Sequence, residues 1–154
     1  MSASRLAEFL DRRAVKYVTI RHSPAYTASE VAATAQVTGR DFAKTLVVKI
    51  GDELAMVVLP ANRRLVLDDL REMLDSPWVQ LATEAEFLSR FPDCELGAMP
   101  PFGNLYGMQV YVASSLSEEP EIAFNAGTHT EVVKMAYEDF ERLVNPTVLD
   151  FITT

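Results

Sequence analysis

The sequence has one cysteine and no long apolar run, and both absences exclude classes of protein. The lone Cys94 among 154 residues excludes an internal disulfide bond and a zinc site built from cysteines. No apolar run approaches the ~18 residues that span a bilayer, and the N-terminal stretch lacks the apolar core of a secretion signal. We therefore expect a cytoplasmic, soluble protein that does not bind a membrane.

Positive charge is scarce as well. Fourteen Lys and Arg residues stand against 22 Asp and Glu, which gives a formal net charge of −8. Domains that hold nucleic acid through bulk charge carry a basic excess, so this balance excludes that mode of binding, and we expect no DNA partner. It permits a weak, local basic site.

Short motifs of common enzyme classes are also absent. The sequence contains neither Gly-x-x-x-x-Gly-Lys nor Gly-x-Gly-x-x-Gly, and it lacks Gly-x-Ser-x-Gly and His-Glu-x-x-His. Its two histidines, His22 and His129, lie far apart in the chain. We therefore expect no metal and no cofactor.

What the sequence does contain is the pattern of a globular α+β domain. Two apolar runs, 45–50 and 54–59, flank a short turn and predict a β-hairpin. Thr27 and Thr83 each stand three residues before a glutamate, which is the spacing of a helix-capping box. Because hairpins alternate with helices and no linker or repeat interrupts 1–154, we expect one domain with a mixed, curved sheet.

Lys44 stands directly before the first strand of this hairpin. That strand carries Leu46 and Val48 on an apolar face, and Thr45 and Lys49 on a polar face. If the strand period extends back by one residue, Lys44 shares the apolar face. A cation there is suited to an anion or a developing oxyanion, because charge interactions strengthen where water is excluded. The alternative is that its side chain runs along the sheet edge into solvent.

A second candidate is the loop 96–104, which is rich in glycine and proline. Its glycines allow positive φ, while Pro100 and Pro101 stiffen the segment. A stiff loop with free amides can present hydrogen-bond donors to a carbonyl or phosphate oxygen. The alternative is a plain connection between two elements.

The third candidate is the segment 125–129, between two apolar strands. A tight turn there would place His129 at a sheet edge, where a histidine can hydrogen-bond or take up a proton near neutral pH. The alternative is that His129 is a solvated surface residue. Because Cys94 lies near the loop 96–104 in sequence, a nucleophilic Cys94–His129 pair is a further alternative.

Taken together, these segments resemble the YbaK-like aminoacyl-tRNA deacylases, the free-standing relatives of the editing domain inserted in bacterial prolyl-tRNA synthetases. The resemblance covers nearly the whole chain in the family's order, and five runs carry it: 21–28, 43–49, 59–65, 97–103 and 125–129. It implies a compact α+β domain with a curved, barrel-like mixed sheet flanked by helices, and a pocket for the aminoacyl end of tRNA.

The resemblance also implies roles for individual residues. Lys44 matches the family's essential lysine, and Gly97 and Pro101 match its Gly-x-x-x-Pro loop, whose backbone amides polarise the ester carbonyl. Pro100 stands where the family usually has a serine, so that hydroxyl is missing while the backbone is kept. The predicted catalytic residues are Lys44, Gly97 and Pro101, and the predicted substrate contacts are His22, Lys44, Ala98, Met99, Pro100, Phe102, Gly103, Gly127 and His129.

The implied activity is that of a trans-editing deacylase, which hydrolyses the ester of a mischarged tRNA with water or the neighbouring ribose hydroxyl as nucleophile. Alanine, cysteine or serine on the tRNA for proline, or on a related tRNA, is the expected substrate. The net charge implies weak binding of the tRNA 3′ end through Arg63, Arg64, Lys44 and Lys49, or delivery by an aminoacyl-tRNA synthetase. The alternative function is a tRNA- or synthetase-binding module of the same fold without turnover.

Overall fold

The structure is a computed structural model that describes residues 4–153. Over this range the chain forms six α-helices and eight β-strands. The helices are α1 (Ser4–Arg12), α2 (Ala28–Thr34), α3 (Leu67–Met73), α4 (Glu84–Phe87), α5 (Ser114–Ser117) and α6 (Tyr137–Val144). The strands are β1 (Tyr17–Arg21), β2 (Ala43–Ile50), β3 (Glu53–Pro60), β4 (Val79–Leu81), β5 (Gln109–Ala113), β6 (Glu121–Asn125), β7 (Glu131–Ala136) and β8 (Thr147–Leu149).

The strands form two sheets. A five-stranded sheet has the order β4-β2-β3-β5-β8, and a three-stranded antiparallel sheet has the order β1-β7-β6. In the larger sheet β2 pairs antiparallel with β3 and β4, whereas β5 runs parallel to both β3 and β8. A single parallel bridge between Phe42 and Ala123 connects the two sheets. The predicted α+β class with a mixed sheet is confirmed.

The elements with the strongest sequence signals form as predicted. The β2–β3 hairpin is confirmed, and β3 is buried on both faces. Both capping boxes are present: Thr27 caps α2 and Thr83 caps α4. In each box the threonine amide donates to the side chain of the glutamate three residues later, whose own amide donates to the threonine hydroxyl. None of the helices in the range 4–153 has both the length and the apolar character that a membrane crossing requires.

The core consists of three apolar clusters, which meet along residues 42–48. The largest cluster takes in Ala43 and Val47 of β2 and the loop side chains Met99 and Phe102. A second cluster lies beneath α2 and includes Phe42, directly before β2. A third cluster takes the opposite face of β2 and β3, with α3 packed on it. Residues 42–48 therefore run through the junction of the three clusters.

Candidate active site

The larger sheet has an opening along one side of β2. β3 covers the other side of β2 over its whole length. On the open side, the amide of Ala123 donates to the carbonyl of Asp41 at 3.1 Å, and the amide of Ala82 donates to the carbonyl of Val47 at 3.0 Å. Between these two bonds, no strand within residues 4–153 pairs with this side of β2. The opening lies beside Lys44 and Thr45.

Thr45 directs a backbone amide and an unpaired hydroxyl toward this opening. Backbone groups at odd positions of β2 point away from β3, as the bonds at Asp41 and Val47 show. The amide of Thr45 therefore points to the open side, and its Oγ1 is buried without a hydrogen-bond partner among residues 4–153. A buried unpaired polar group costs about 1–3 kcal/mol, which a bound ligand can recover. The sequence predicts that Thr45 shares a polar strand face with Lys49, and the register of β2 agrees; the sequence did not predict that its hydroxyl is buried.

Lys44 lies on the opposite strand face from Thr45, as the strand period predicts. It follows Phe42 of the second cluster and precedes Leu46, which packs on the third cluster. Burial lowers the pKa of Lys44, and the positive charge of Arg64 lowers it further. Among residues 4–153 no carboxylate lies within ion-pair distance of either cation. Two neighbouring cations without a counter-ion favour binding of an anion.

The predicted basic patch is smaller than expected. Lys49 Nζ lies 2.8 Å from Glu86 Oε2, and this hydrogen bond lowers the pKa of Glu86 to about 2. Lys49 is therefore paired with a carboxylate at the β4 end of the strand. The Arg63 guanidinium donates to the carbonyl of Asn62 at 3.2 Å. Of the four predicted cations, Lys44, Arg63 and Arg64 have no carboxylate within ion-pair distance among residues 4–153.

The glycine- and proline-rich loop begins with a tight turn. The amide of Ala98 donates to the carbonyl of Glu95 at 3.0 Å, and Gly97 has φ +84°. Positive φ at the third residue defines a type II turn and favours glycine there. For the amides of Gly97 and Met99, no acceptor exists among the residues that the structure describes. The turn thus presents two free N–H donors, as the sequence predicts for a loop that binds an oxygen.

This turn is joined directly to the segment 127–129. The amide of Gly127 donates to the carbonyl of Ala98 at 2.9 Å, and the amide of Glu95 donates to the carbonyl of Gly127 at 2.8 Å. The His129 ring reaches the carbonyl of Leu96, with Nε2 at 2.7 Å. Because a carbonyl only accepts, Nε2 carries the proton and Nδ1 is left as a buried atom without a partner.

The segment around His22 lies against the same turn. The amide of His22 donates to the carbonyl of Thr130 at 2.9 Å, and the amide of Ala25 donates to the carbonyl of His129 at 3.3 Å. His22 Nδ1 bonds the carbonyl of Ser23 at 2.7 Å, which leaves Nε2 buried and unpaired. His22, Gly97, Ala98, Gly127 and His129 therefore belong to one contiguous wall.

Strand register relates Lys44 to this wall. Lys44 lies two residues after Phe42, and Asn125 lies two residues after Ala123. Because Phe42 and Ala123 form a parallel bridge, Lys44 and Asn125 lie in the same direction from it and on the same strand face. Asn125 leads directly into Gly127, and its Oδ1 is buried without a partner. Lys44 and Asn125 thus flank the opening from its two sides.

The remaining predicted site residues, Pro101 among the catalytic ones and three of the substrate contacts, lie in the buried part of the loop 96–104. Pro100 and Pro101 are buried. Phe102 is fully buried, with its ring 5.5 Å from those of Phe124 and Phe140. Gly103 lies so close to the Met108 carbonyl that a Cβ would come within 2.5 Å. These residues hold the loop on the core, and direct substrate contact by them stays a prediction.

The structure does not form the Cys94–His129 pair. The Cys94 thiol lies 3.3 Å from the Tyr106 hydroxyl and 3.7 Å from a carboxylate oxygen of Asp93. Burial raises the pKa of the thiol to about 11, so little of the nucleophilic thiolate is present at neutral pH. The His129 ring bonds the Leu96 carbonyl instead, and the hypothesis of a nucleophilic pair is wrong. In the range 4–153, no three His, Cys, Asp or Glu side chains converge as a metal site would require.

Comparisons with known proteins fit this geometry. The sequence profile of the aminoacyl-tRNA editing domain matches residues 22–143. The chain is 27% identical over 158 residues to the multifunctional Ser/Thr-tRNA deacylase ProXp-y of Escherichia coli (strain K12), with 97% of this chain and 92% of that protein covered.

Two solved structures share the fold. A candidate trans-editing enzyme for prolyl tRNA synthetase superposes with a TM-score of 0.83 at 22% identity, covering 99% of this chain and 98% of that one. The hypothetical protein APE2540 superposes with a TM-score of 0.84 at 21% identity, covering 96% and 99%.

Proposed function

The chain belongs to the aminoacyl-tRNA editing domain family, and on that basis we propose that it is a trans-editing deacylase that removes a small amino acid from tRNA. Its reaction is hydrolysis of the ester that joins the amino acid to the terminal ribose. The observation that carries the proposal is the opening beside β2. Lys44 borders it with Arg64 nearby, and Asn125 on its far side precedes Gly127, which is bonded to the turn that carries the free amides of Gly97 and Met99.

The ester needs three things from the protein, which are positioning, polarisation of its carbonyl and a nucleophile. The free amides of Gly97 and Met99 donate to the carbonyl oxygen and stabilise the charge that develops on it. Lys44, with Arg64, holds the phosphate of the terminal nucleotide. Water, or the neighbouring ribose hydroxyl, attacks the carbonyl carbon, and the C–O bond to the ribose breaks to release the amino acid and the tRNA.

We propose serine as the first substrate among alanine, cysteine and serine. Serine is also named for the Escherichia coli relative, together with threonine. Thr45 Oγ1, a buried oxygen without a hydrogen-bond partner among residues 4–153, lies beside the opening and can accept a hydrogen bond from a substrate hydroxyl. A site that hydrogen-bonds a substrate hydroxyl rejects the analogue without it far more strongly than an apolar pocket rejects one methylene.

A panel of charged tRNAs tests this proposal. The tRNA for proline carries serine, alanine, cysteine or proline, the tRNA for threonine carries serine, and release of amino acid is followed over time. We expect serine to be released fastest and proline to be spared. Thr45→Val keeps the side-chain shape and removes the hydroxyl, so it should bring the rates for serine and alanine closer together. Binding of these tRNAs without release of any amino acid would favour the non-catalytic module instead.

A further inference from the structure

Tyr26 is strongly exposed although its backbone is fixed on both sides. The amide of Ala25 donates to the carbonyl of His129 at 3.3 Å, and Thr27 forms the capping box of α2. Tyr26 is 69% exposed to solvent, and the centroid of its ring lies 4.7 Å from that of the His129 ring. Tyr26 therefore presents a preorganised aromatic surface next to the candidate site.

The support under Tyr26 is also fixed. His129 is held by its ring bond to the Leu96 carbonyl at 2.7 Å and by its amide bond to Glu95 Oε1 at 2.8 Å. Gly97 lies beside Cε1 of this ring: a Cβ added to Gly97 would be 3.6 Å from His129 Cε1. Tyr26, His129 and Gly97 thus form a continuous row that ends at a free amide of the turn.

The position of this row indicates its ligand. If the Gly97 amide binds the ester carbonyl, as the proposed function requires, the acylated ribose lies beside His129. That ribose carries the terminal base of a single-stranded 3′ end, and unpaired bases in RNA are commonly bound by stacking on aromatic side chains. The amino acid lies on the other side of the ester and points toward Thr45.

We propose that the exposed face of Tyr26 stacks on the terminal nucleobase of the tRNA 3′ end. This inference rests on the proposed function and adds a binding residue to it. Stacking does not depend on charge, so it supplies affinity that a chain with a net charge of −8 does not obtain from bulk electrostatics.

A fluorescent RNA tests the stack without relying on hydrolysis. The probe is an RNA hairpin with a single-stranded CCA end in which 2-aminopurine, a base whose fluorescence falls when it stacks, replaces the terminal adenine. We expect the wild-type protein and Tyr26→Phe to quench the probe equally. Tyr26→Leu keeps an apolar contact with His129 but has no ring, so we expect it to lose the quenching and to bind roughly 5- to 100-fold more weakly.

Trp78 is the matched control, because it is 74% exposed but lies beside β4 and the β2–β3 turn. Trp78→Ala should leave both quenching and affinity unchanged.

With a charged tRNA, Tyr26→Leu should raise KM by the same factor as it weakens binding and leave kcat nearly unchanged. Equal quenching by Tyr26→Leu and the wild type would overturn the stack while leaving the deacylase intact. Quenching by a wild-type protein that hydrolyses no ester would overturn the deacylase while supporting the stack.

Discussion

Lys44 lies where its own charge is disfavoured, because burial and the nearby Arg64 both lower its pKa. Between this lowered pKa and the ordinary lysine value, the folded protein binds fewer protons than the unfolded chain. The free energy of unfolding therefore rises with pH across that window. The charge of Lys44 thus opposes stability at neutral pH, as expected of a residue kept for binding.

Replacing this lysine tests that reading. Lys44→Met keeps an apolar side chain of similar length, so we expect the free energy of unfolding at pH 7 to stay the same or to rise. The increase in stability from pH 7 toward the ordinary lysine pKa of about 10.4 should become smaller. Urea unfolding at several pH values measures both effects. A clear loss of stability at pH 7 would instead give Lys44 a structural role.

The proposed role of Gly97 depends on its backbone conformation. In Gly97→Ala the φ of +84° costs about 1–2 kcal/mol and favours a rearranged turn that turns the amide away from the ester. Because loss of one oxyanion donor costs about 10²-fold or more in rate, we expect a fall of that order in kcat.

The control for this substitution is Gly51→Ala in the β2–β3 turn. Gly51 has φ +61° and no atom within 4 Å of a built Cβ, so the strain is similar and the site is not involved. We expect the two variants to lose similar stability and only Gly97→Ala to lose activity. Equal deacylation rates in the two variants would contradict the role of the turn.

At the scale of secondary structure, the two capping boxes form a matched pair. Thr27 begins the helix next to Tyr26 and His22, whereas Thr83 begins α4 beside the Lys49–Glu86 ion pair. Loss of a threonine cap costs about 0.5–2 kcal/mol. We expect Thr27→Ala and Thr83→Ala to lose comparable stability in urea unfolding, and Thr27→Ala alone to raise KM for tRNA. An equal KM in both variants would show that the 22–27 segment does not position the substrate.

The elements that could be predicted from the sequence have local chemical signals. The hairpin and both caps are confirmed. Sequence reasoning did not predict α5 or β8, because four and three residues are too few to show a period.

The candidate site was predictable only in part. The free amides of the loop and the strand face of Lys44 followed from glycine, proline and strand alternation. The proposed role of Thr45 could not be predicted, because it depends on where β2 lacks a neighbouring strand. The bonds made by residues 41, 82 and 123 set the limits of that unpaired stretch. The tilted ring contact between Tyr26 and His129 joins positions too far apart for any local pattern to show.

At the scale of the whole molecule, a net charge of −8 limits how tRNA can bind. If only Lys44 and Arg64 contact phosphates, the affinity should depend weakly on salt. In a plot of the logarithm of affinity against the logarithm of salt concentration, each phosphate contact on a single strand contributes about −0.7 to the slope. Arg64→Ala should reduce that slope by about one such step. Lys49→Ala, which removes a lysine already paired with Glu86, should leave it unchanged. A steep slope in the wild type, or an equal change in both variants, would show a broader basic surface.

The proposed hydrolysis of an aminoacyl-tRNA ester depends on Lys44, at the opening beside β2. It is tested by kcat/KM for release of serine from the tRNA for proline by the wild type, Lys44→Met and Lys49→Met. We expect hydrolysis by the wild type, a loss of at least about 10²-fold in Lys44→Met and little change in Lys49→Met. Hydrolysis at the wild-type rate by a folded Lys44→Met protein would contradict this proposal.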